Sequence, residues 1–449
     1  MTPQTRYARS GDVHIAYQVV GEGPLDLVWI PSLAHHVELN WENPVVAPWL
    51  ERLSGLGRVI VFDKRGTGMS DRMSGDTTLE TRMDDIRAVM ESAKSPRALV
   101  VALGDGGPFA MLFAATYPDR TAGLVLIHTG PRGVWSPEFP WLDSRGEVER
   151  RIDEMVRHWT EPAAYDESLV RGSPDMTEDE KRAFGRVIRL SVSPGAFRDY
   201  MRMNIDIDVS AVLPSIQVPT LVLHRTEIPF DVRSARYLAE HIPGARLVEL
   251  PGRNFAPQVG DQEALFAELE RFVAEIESGQ WEAAEPDRVL STVLFTDIVG
   301  STERAASLGD RAWRELLLRH HELVRRELAR HRGTELDTAG DGFFASFDGP
   351  ARAIRCGCAV VEAVKALDLD VRAGLHTGEC ELVDGKVGGI AVHIGARVAA
   401  QAAPGEVLVS STVRDLVAGS GIVFSDRGPA ELKGIPGEWR LFAVEDGAS

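Results

Sequence analysis

Asp297 and Asp341 each sit in a glycine-containing turn at the edge of an apolar, strand-like run. Val289–Thr296 precedes the first, and Phe343–Phe347 follows the second. Carboxylates at the tips of adjacent strands can hold hard cations through oxygen ligands. Phosphoryl chemistry uses that arrangement, because two metals about 3.5–4 Å apart clamp the attacking and leaving oxygens. The Asp297 turn also leads into a helix, whose backbone N–H groups can receive phosphate oxygens. Taken by themselves, turn aspartates more often serve as Asx-turn or N-cap residues.

The elements around them predict an α+β domain. The strand Val289–Thr296 runs into Asp297-Ile298-Val299-Gly300-Ser301. A long helix follows, with Asp310 as its expected N-cap and Gly333 just past its end. Trp313, Leu316, Leu317, Val324 and Leu328 form its apolar stripe. Thr334–Thr338 and Phe343–Phe347 then predict a hairpin with Asp341 at its tip. A helix from Pro350, a strand Val371–His376 and a helix over Val392–Gln401 complete the domain, placed at 289–445.

Upstream the order differs. Residues 1–275 alternate short apolar strands (Leu25–Ile30, Arg58–Phe62, Ala98–Leu103, Gly123–His128, Thr220–His224, Arg246–Leu250) with helical patterns. Such alternation predicts α/β architecture, a parallel sheet covered on both faces. Between about 133 and 213 charged amphipathic helices, such as Val148–Trp159 and Glu178–Leu190, predict an inserted helical cap. A linker is expected at 276–288, around Ser278-Gly279-Gln280 and Pro286.

Composition narrows the partners. A chain of 449 residues is too long for one ordinary core, which favours two domains. A formal charge of −18 argues against nucleic acid or an anionic membrane as the main partner. The most apolar stretch, Ala98–Tyr117, contains Asp105 and a glycine pair and is too interrupted to span a bilayer. The chain opens without a signal-like segment, and its three cysteines suit a reducing compartment, so a cytoplasmic location is expected. Cys356 and Cys358 lie two apart on a predicted helix and point to different sides, which disfavours a metal pair there.

Five ordered motifs resemble the class III nucleotidyl cyclase family. They are Phe295-Thr296-Asp297-Ile298-Val299-Gly300-Ser301-Thr302, Thr338-Ala339-Gly340-Asp341-Gly342-Phe343, Arg372-Ala373-Gly374-Leu375-His376-Thr377-Gly378-Glu379, Gly389-Ile390-Ala391-Val392-His393-Ile394-Gly395-Ala396-Arg397 and Glu431-Leu432-Lys433-Gly434. The resemblance implies a ferredoxin-like domain that works as a head-to-tail homodimer and makes cyclic AMP from ATP with two divalent cations, Mg²⁺ or Mn²⁺. It implies that Asp297, Ile298 and Asp341 hold the metals, and that Gly300, Ser301 and Thr302 line the nucleotide. Arg397, from the other protomer, would stabilise the transition state at the α-phosphate, with Lys433 and Arg372 on the triphosphate.

Three positions depart from the family pattern. The base-reading lysine and aspartate are exchanged here to Asp337 and Lys386. That pair could read adenine in a shifted pose, serve guanine and hence GTP, or bridge itself and read nothing. His393 stands where a ribose-orienting asparagine is usual; it can still donate one hydrogen bond, or simply pack. A nucleotide-binding pseudoenzyme that signals by dimerising therefore stays open as an alternative.

Residues 1–275 resemble the α/β-hydrolase family, through Phe62-Asp63-Lys64-Arg65-Gly66-Thr67-Gly68-Met69-Ser70-Asp71, Gly106-Gly107-Pro108 and the strand Thr220–His224. The alignment puts Gly104, Ile228 and Phe255 at the nucleophile, acid and histidine positions, so the triad is expected to be lost. Asp105 lies one residue out of register as a substitute nucleophile, with no histidine downstream to activate water. His35, His36, His128 and His224 lie near strand ends, where ordinary polar roles around a cleft are favoured over a metal site. What remains is expected to be a sensor with a pocket for an apolar small molecule, or a scaffold; an esterase is disfavoured.

Overall fold

The computed structural model describes residues 3–33, 35–72, 78–159, 172–281, 288–383 and 386–445. Contacts divide the chain into two compact units, Met1–Thr77 with Thr81–Pro286, and Asp287–Ser449 with Thr78–Glu80.

The first unit is built on eight strands: β1 (Arg6–Ser10), β2 (Val13–Val20), β3 (Asp26–Ile30), β4 (Arg58–Phe62), β5 (Ala98–Leu103), β6 (Thr121–Ile127), β7 (Thr220–Arg225) and β8 (Arg246–Leu250). Their order is β1-β2-β4-β3-β5-β6-β7-β8. From β4 to β8 neighbours run parallel. Strands β3, β5, β6 and β7 are buried along their whole length, as strands with both faces covered must be. The edge departs from the expected all-parallel sheet. β1 and β2 add to it antiparallel, and their mixed exposed and buried positions hide them from a reading based on apolar runs.

Between β6 and β7 lie the helices Arg145–Arg157, Glu178–Ser191 and Pro194–Ile205. Two begin at capping boxes, Ser144 with Glu147 and Thr177 with Glu180, in which each partner satisfies an orphan donor of the other. The helix Glu263–Glu277 closes the unit and buries Leu265, Phe266, Leu269, Phe272 and Val273 on one side.

The second unit has β9 (Arg288–Ile298), β10 (Thr334–Ala339), β11 (Gly342–Phe347), β12 (Val371–Val383), β13 (Lys386–Gly388), β14 (Val407–Ser410), β15 (Phe424–Glu431) and β16 (Glu438–Val444). The order is β10-β11-β9-β12-β14-β16-β15, with β13 paired to β12. Alternation along β9 sorts its side chains to two faces. Leu294 and Ile298 join Phe343, Phe347 and the helix Pro350–Val364, with Val324 and Leu328 of the helix Asp310–Arg330. Val293 and Phe295 face the helix Ile390–Gln401. Asp310 is not the N-cap expected of it. Gly309 caps that helix with φ 75°, and Asp310 is its first residue, where its charge still complements the dipole. No helix among the described residues is long and apolar enough to cross a membrane.

Helix Ile390–Gln401 approaches β12 closely because Gly374 has no side chain. A Cβ there would lie 2.1 Å from the Ala399 nitrogen and 2.3 Å from its Cα, both backbone atoms that cannot swing away. Gly374→Ala should therefore destabilise the second unit by about 1–3 kcal/mol or more. Gly388→Ala, with nothing within 4 Å of its Cβ position, should be near neutral. Urea unfolding of the two variants is the comparison.

Candidate functional site

Strand register carries the two aspartates to the same end of the sheet. Asp297, next to last in β9, pairs across to Arg372 of β12. On its other side β9 pairs with β11, Phe343 opposite Thr296, so the residues just before Phe343 reach the sheet end that carries Asp297 and Ile298. Ala339 pairs with Gly342, which leaves Gly340-Asp341 as a two-residue turn. Gly340 has φ 65°, as the first central residue of a type II′ hairpin requires. The tip is tied down from the helix Asp310–Arg330. His321 Nε2 lies 3.0 Å from the Gly340 carbonyl and donates to it, and its ring stands edge-on to Phe343 at 5.1 Å.

The oxygens at this end fit a divalent cation. Asp341 Oδ2 is buried and has no hydrogen-bond partner, a costly state for a carboxylate oxygen. Asp297 Oδ2 accepts from Arg372 Nη2 at 2.7 Å and Nε at 3.2 Å. That pair is about one-third exposed on each side, so giving it up costs only about 0–1 kcal/mol. The Ile298 side chain is 2% exposed and packed in the core, which leaves its backbone carbonyl as the available ligand. No group of three His, Cys, Asp or Glu side chains converges among the described residues. The available donors are thus two carboxylates and a carbonyl, all hard oxygens.

Arg397 and His393 form no ion pair or hydrogen bond with Asp297 or Asp341 among the described residues. On the helix Ile390–Gln401 the buried residues are Ala391, Ile394, Gly395, Val398 and Ala399, packed towards β9 and β12. His393 and Arg397, one turn apart, are exposed on the outward side. Lys433 is exposed just after β15. Gly300, with φ 66°, caps the helix Ser301–Leu308 that begins with Ser301 and Thr302. Asp337 is exposed beside a bulge in β10, its Oδ1 accepting from the Thr338 N–H at 2.8 Å. Lys386 opens β13 opposite Val383, but its side chain lies outside the described residues, and with it the proposed pairing to Asp337.

Two buried histidines support this domain from within. His320 lies 5.8 Å from the Phe343 ring of the β10–β11 hairpin, with neither ring nitrogen partnered. Burial first, then the neighbouring His321, lowers its pKa to about 4. His376 Nδ1 bonds Ser410 Oγ at 2.8 Å, and burial lowers its pKa to about 4 as well. A folded value below the unfolded 6.5 means that the fold prefers neutral imidazole. The stability is complete above pH 6.5 and is lost as pH falls from 6.5 towards 4, by up to about 1.4 kcal/mol per pH unit for each group. Urea unfolding at pH 7 and pH 5 should show this loss, and His320→Phe should flatten the slope.

In the first unit Gly104 follows β5 with φ 54°. A Cβ there would lie 2.9 Å from Phe255 Cζ and 2.8 Å from Ser32 Oγ, so the bulky ring and the glycine require each other. Ile228 belongs to the same apolar cluster as Phe255. Asp105 is engaged on both oxygens. Oδ1 accepts from Ser32 Oγ and the Leu33 N–H, both at 2.7 Å, and Oδ2 from Lys64 Nζ at 3.2 Å and from the Tyr200 hydroxyl. Burial would raise its carboxyl, but Lys64 foremost, then those hydrogen bonds, hold it below the usual range. The histidines are tied into the scaffold. His35 joins Asp63 and Asn40, His36 accepts from the Leu39 N–H, His128 donates to the Phe255 carbonyl and His224 to the Phe230 carbonyl. Sequence reasoning singled out Asp105 but not Lys64 and Tyr200, which come from distant segments.

Comparison with known proteins assigns the two units differently. Residues 285–446 match the adenylate and guanylate cyclase catalytic domain. Through this region the chain is 31% identical to a pH-sensitive adenylate cyclase of Mycobacterium tuberculosis, over 35% of this chain and 41% of that protein. It spans between 16% and 41% of the curated relatives matched here. The region before it is 27% identical to a pimeloyl-(acyl-carrier protein) methyl ester esterase of Nitrosomonas europaea, over 55% of this chain and 93% of that protein. It also superposes on an esterase from Exiguobacterium antarcticum with TM-score 0.54, at 20% identity, over 60% of this chain and all of that one. The second unit is thus a class III cyclase domain by its family match, and it follows a region of α/β-hydrolase fold.

Proposed function

We propose that the protein is a nucleotidyl cyclase of adenylate type, converting ATP to 3′,5′-cyclic AMP and pyrophosphate at a homodimer interface. The observation that carries this reading is the orphaned, buried Asp341 oxygen beside Asp297 at one sheet end, in the domain matched to the cyclase family. Asp297, Asp341 and the Ile298 carbonyl would hold Mg²⁺ or Mn²⁺. When bound, such ions polarise the ribose 3′-oxygen and neutralise phosphate charge. Arg372, freed from Asp297, would turn its guanidinium to the phosphates. Gly300, Ser301 and Thr302 offer backbone N–H groups at the start of their helix.

The outward placement of Arg397 and His393 favours a site completed by a second copy. A guanidinium lent across the interface stabilises charge that grows on the α-phosphate oxygens in the transition state. His393 would orient the ribose, Lys433 would bind the triphosphate, and Asp337 with Lys386 would read the base. Adenine is preferred on the likeness to adenylate cyclases, and the exchanged Asp337/Lys386 pair makes GTP the competing substrate to test. The first unit, with Gly104, Ile228 and Phe255 at its former catalytic positions, does not hydrolyse esters; it senses a ligand or acts as a scaffold.

Purified protein with Mn²⁺ should form cyclic AMP from ATP faster than cyclic GMP from GTP. Asp297→Ala and Asp341→Ala should each abolish turnover, and Arg397→Ala should lower kcat on the order of 10²–10³-fold. Mixing Asp297→Ala with Arg397→Ala protein should restore activity, because one of the two heterodimer sites is then intact. Full activity of either aspartate variant, or no recovery on mixing, defeats the proposed site.

A further inference from the structure

The cluster around Asp105 in the first unit holds more donors than neutralising one carboxylate requires. Asp105 follows β5, and its two oxygens are reached from three other segments. Ser32 and Leu33 lie just after β3, Lys64 just after β4, and Tyr200 on the cap helix Pro194–Ile205. Oδ1 accepts from Ser32 Oγ and the Leu33 N–H, both at 2.7 Å. Oδ2 accepts from Lys64 Nζ at 3.2 Å and from the Tyr200 hydroxyl. The ammonium alone balances the charge; the other three donors define the place of each oxygen.

Part of this arrangement is held in place without Asp105. Lys64 is buried, and its Nζ also donates to the Pro31 carbonyl at 3.0 Å and to the Tyr200 hydroxyl at 2.8 Å. The Arg82 guanidinium stands 4.9 Å from the Tyr200 ring and adds a second positive charge on that side. Withdrawing the carboxylate would therefore leave a hollow lined by donors and one ammonium without its counter-charge. Such a buried charge is costly, and a small anion from water would relieve it. The Asp105 side chain is 16% exposed, so its position is not sealed off.

In a catalytic hydrolase of this fold, the substrate's oxyanion is received by two N–H groups. One belongs to the residue after the nucleophile and the other to the loop after β3. Here the residue after Gly104 is Asp105 itself, and Leu33, in the loop after β3, gives its N–H to the Asp105 carboxylate. The chain's own negative charge thus fills that position. A ligand carbonyl or carboxylate arriving there would meet a like charge instead of a donor.

We propose that Ser32, Leu33, Lys64 and Tyr200 form a receptor for one carboxylate-sized anion, that Asp105 is its built-in occupant, and that the occupied receptor latches the cap helix Pro194–Ile205 to the sheet. Tyr200 is the cap's contribution, so emptying the receptor loosens that helix and refilling it restores the hold. The inference goes beyond the cyclase reading and does not depend on it.

Full-length Asp105→Ala protein is compared with the wild type by hydrogen exchange and thermal unfolding at matched ionic strength. Sodium formate, which carries the same two oxygens, is the anion probe, and formamide is its neutral counterpart. Amides of the cap helix should exchange roughly tenfold faster in the variant, as expected for losing a charge-assisted hydrogen bond. Formate should restore their protection saturably and raise the unfolding midpoint of the first unit by roughly 2–4 °C at ten times its half-saturating concentration. Formamide should do neither, the wild type should respond to neither, and Asp105→Ala/Lys64→Met protein should lose the formate response. A folded Asp105→Ala protein that ignores formate, or answers formamide equally, overturns the receptor. Where Asp105→Ala folds poorly, refolding yield gives the same comparison: recovery specific to formate supports the receptor, and recovery that is absent or equal with formamide overturns it.

Discussion

Two carboxylates fixed at one end of a sheet are an electrostatic liability unless something positive joins them. The second unit fixes them there by backbone pairing: β9 lies between β11 and β12, so Asp297 and the Asp341 hairpin emerge at the same edge. Arg372 relieves one carboxylate, and nothing among the described residues relieves the buried Oδ2 of the other. The domain therefore holds an oxygen cluster at a free-energy cost, of the kind that strained or unsatisfied groups mark at functional sites. Its surroundings are spent on keeping it in place. Gly374 lets the helix Ile390–Gln401 lie against β12, and His321 pins the turn that carries Asp341.

The same packing bears on the proposed shared site. A helix that buries Ala391, Ile394, Gly395, Val398 and Ala399 against the sheet has no freedom to rotate Arg397 inward. Rotation would expose that apolar face, at about 25 cal/mol for each Å² returned to water. In the proposed reading a second subunit would solve the problem without disturbing the core, since each copy would offer its outward arginine to the other's aspartates. In that reading rigid packing and a shared site are one constraint.

The sequence made much of this legible, and for a physical reason. Asp297 and Asp341 stand out because each interrupts an apolar run with a turn, and the runs are periodic enough to place the strands. The central strands of the first unit were readable for the same reason, being apolar throughout. The edge strands β1 and β2 escaped, because half-exposed strands alternate weakly and carry polar residues. Asp310 misled because a capping residue and a first-turn acid share one composition, and only backbone geometry shows that Gly309 occupies the cap. The Lys64–Asp105–Tyr200 cluster was beyond reach, since it depends on segments far apart in the chain meeting in space.

The first unit carries a parallel argument in reverse. A nucleophile elbow holds a residue in a strained conformation so that its side chain projects into the cleft. Gly104 keeps the left-handed backbone, φ 54°, while Phe255 stands where that side chain would project. Restoring serine at 104 alone would drive its Cβ into the ring, and restoring histidine at 255 alone would face a glycine with nothing to activate. The apolar ring meanwhile belongs to the unit's main core cluster. In the proposed reading a catalytic position has become packing, and the interactions that now stabilise the unit there are those that chemistry would have to give up.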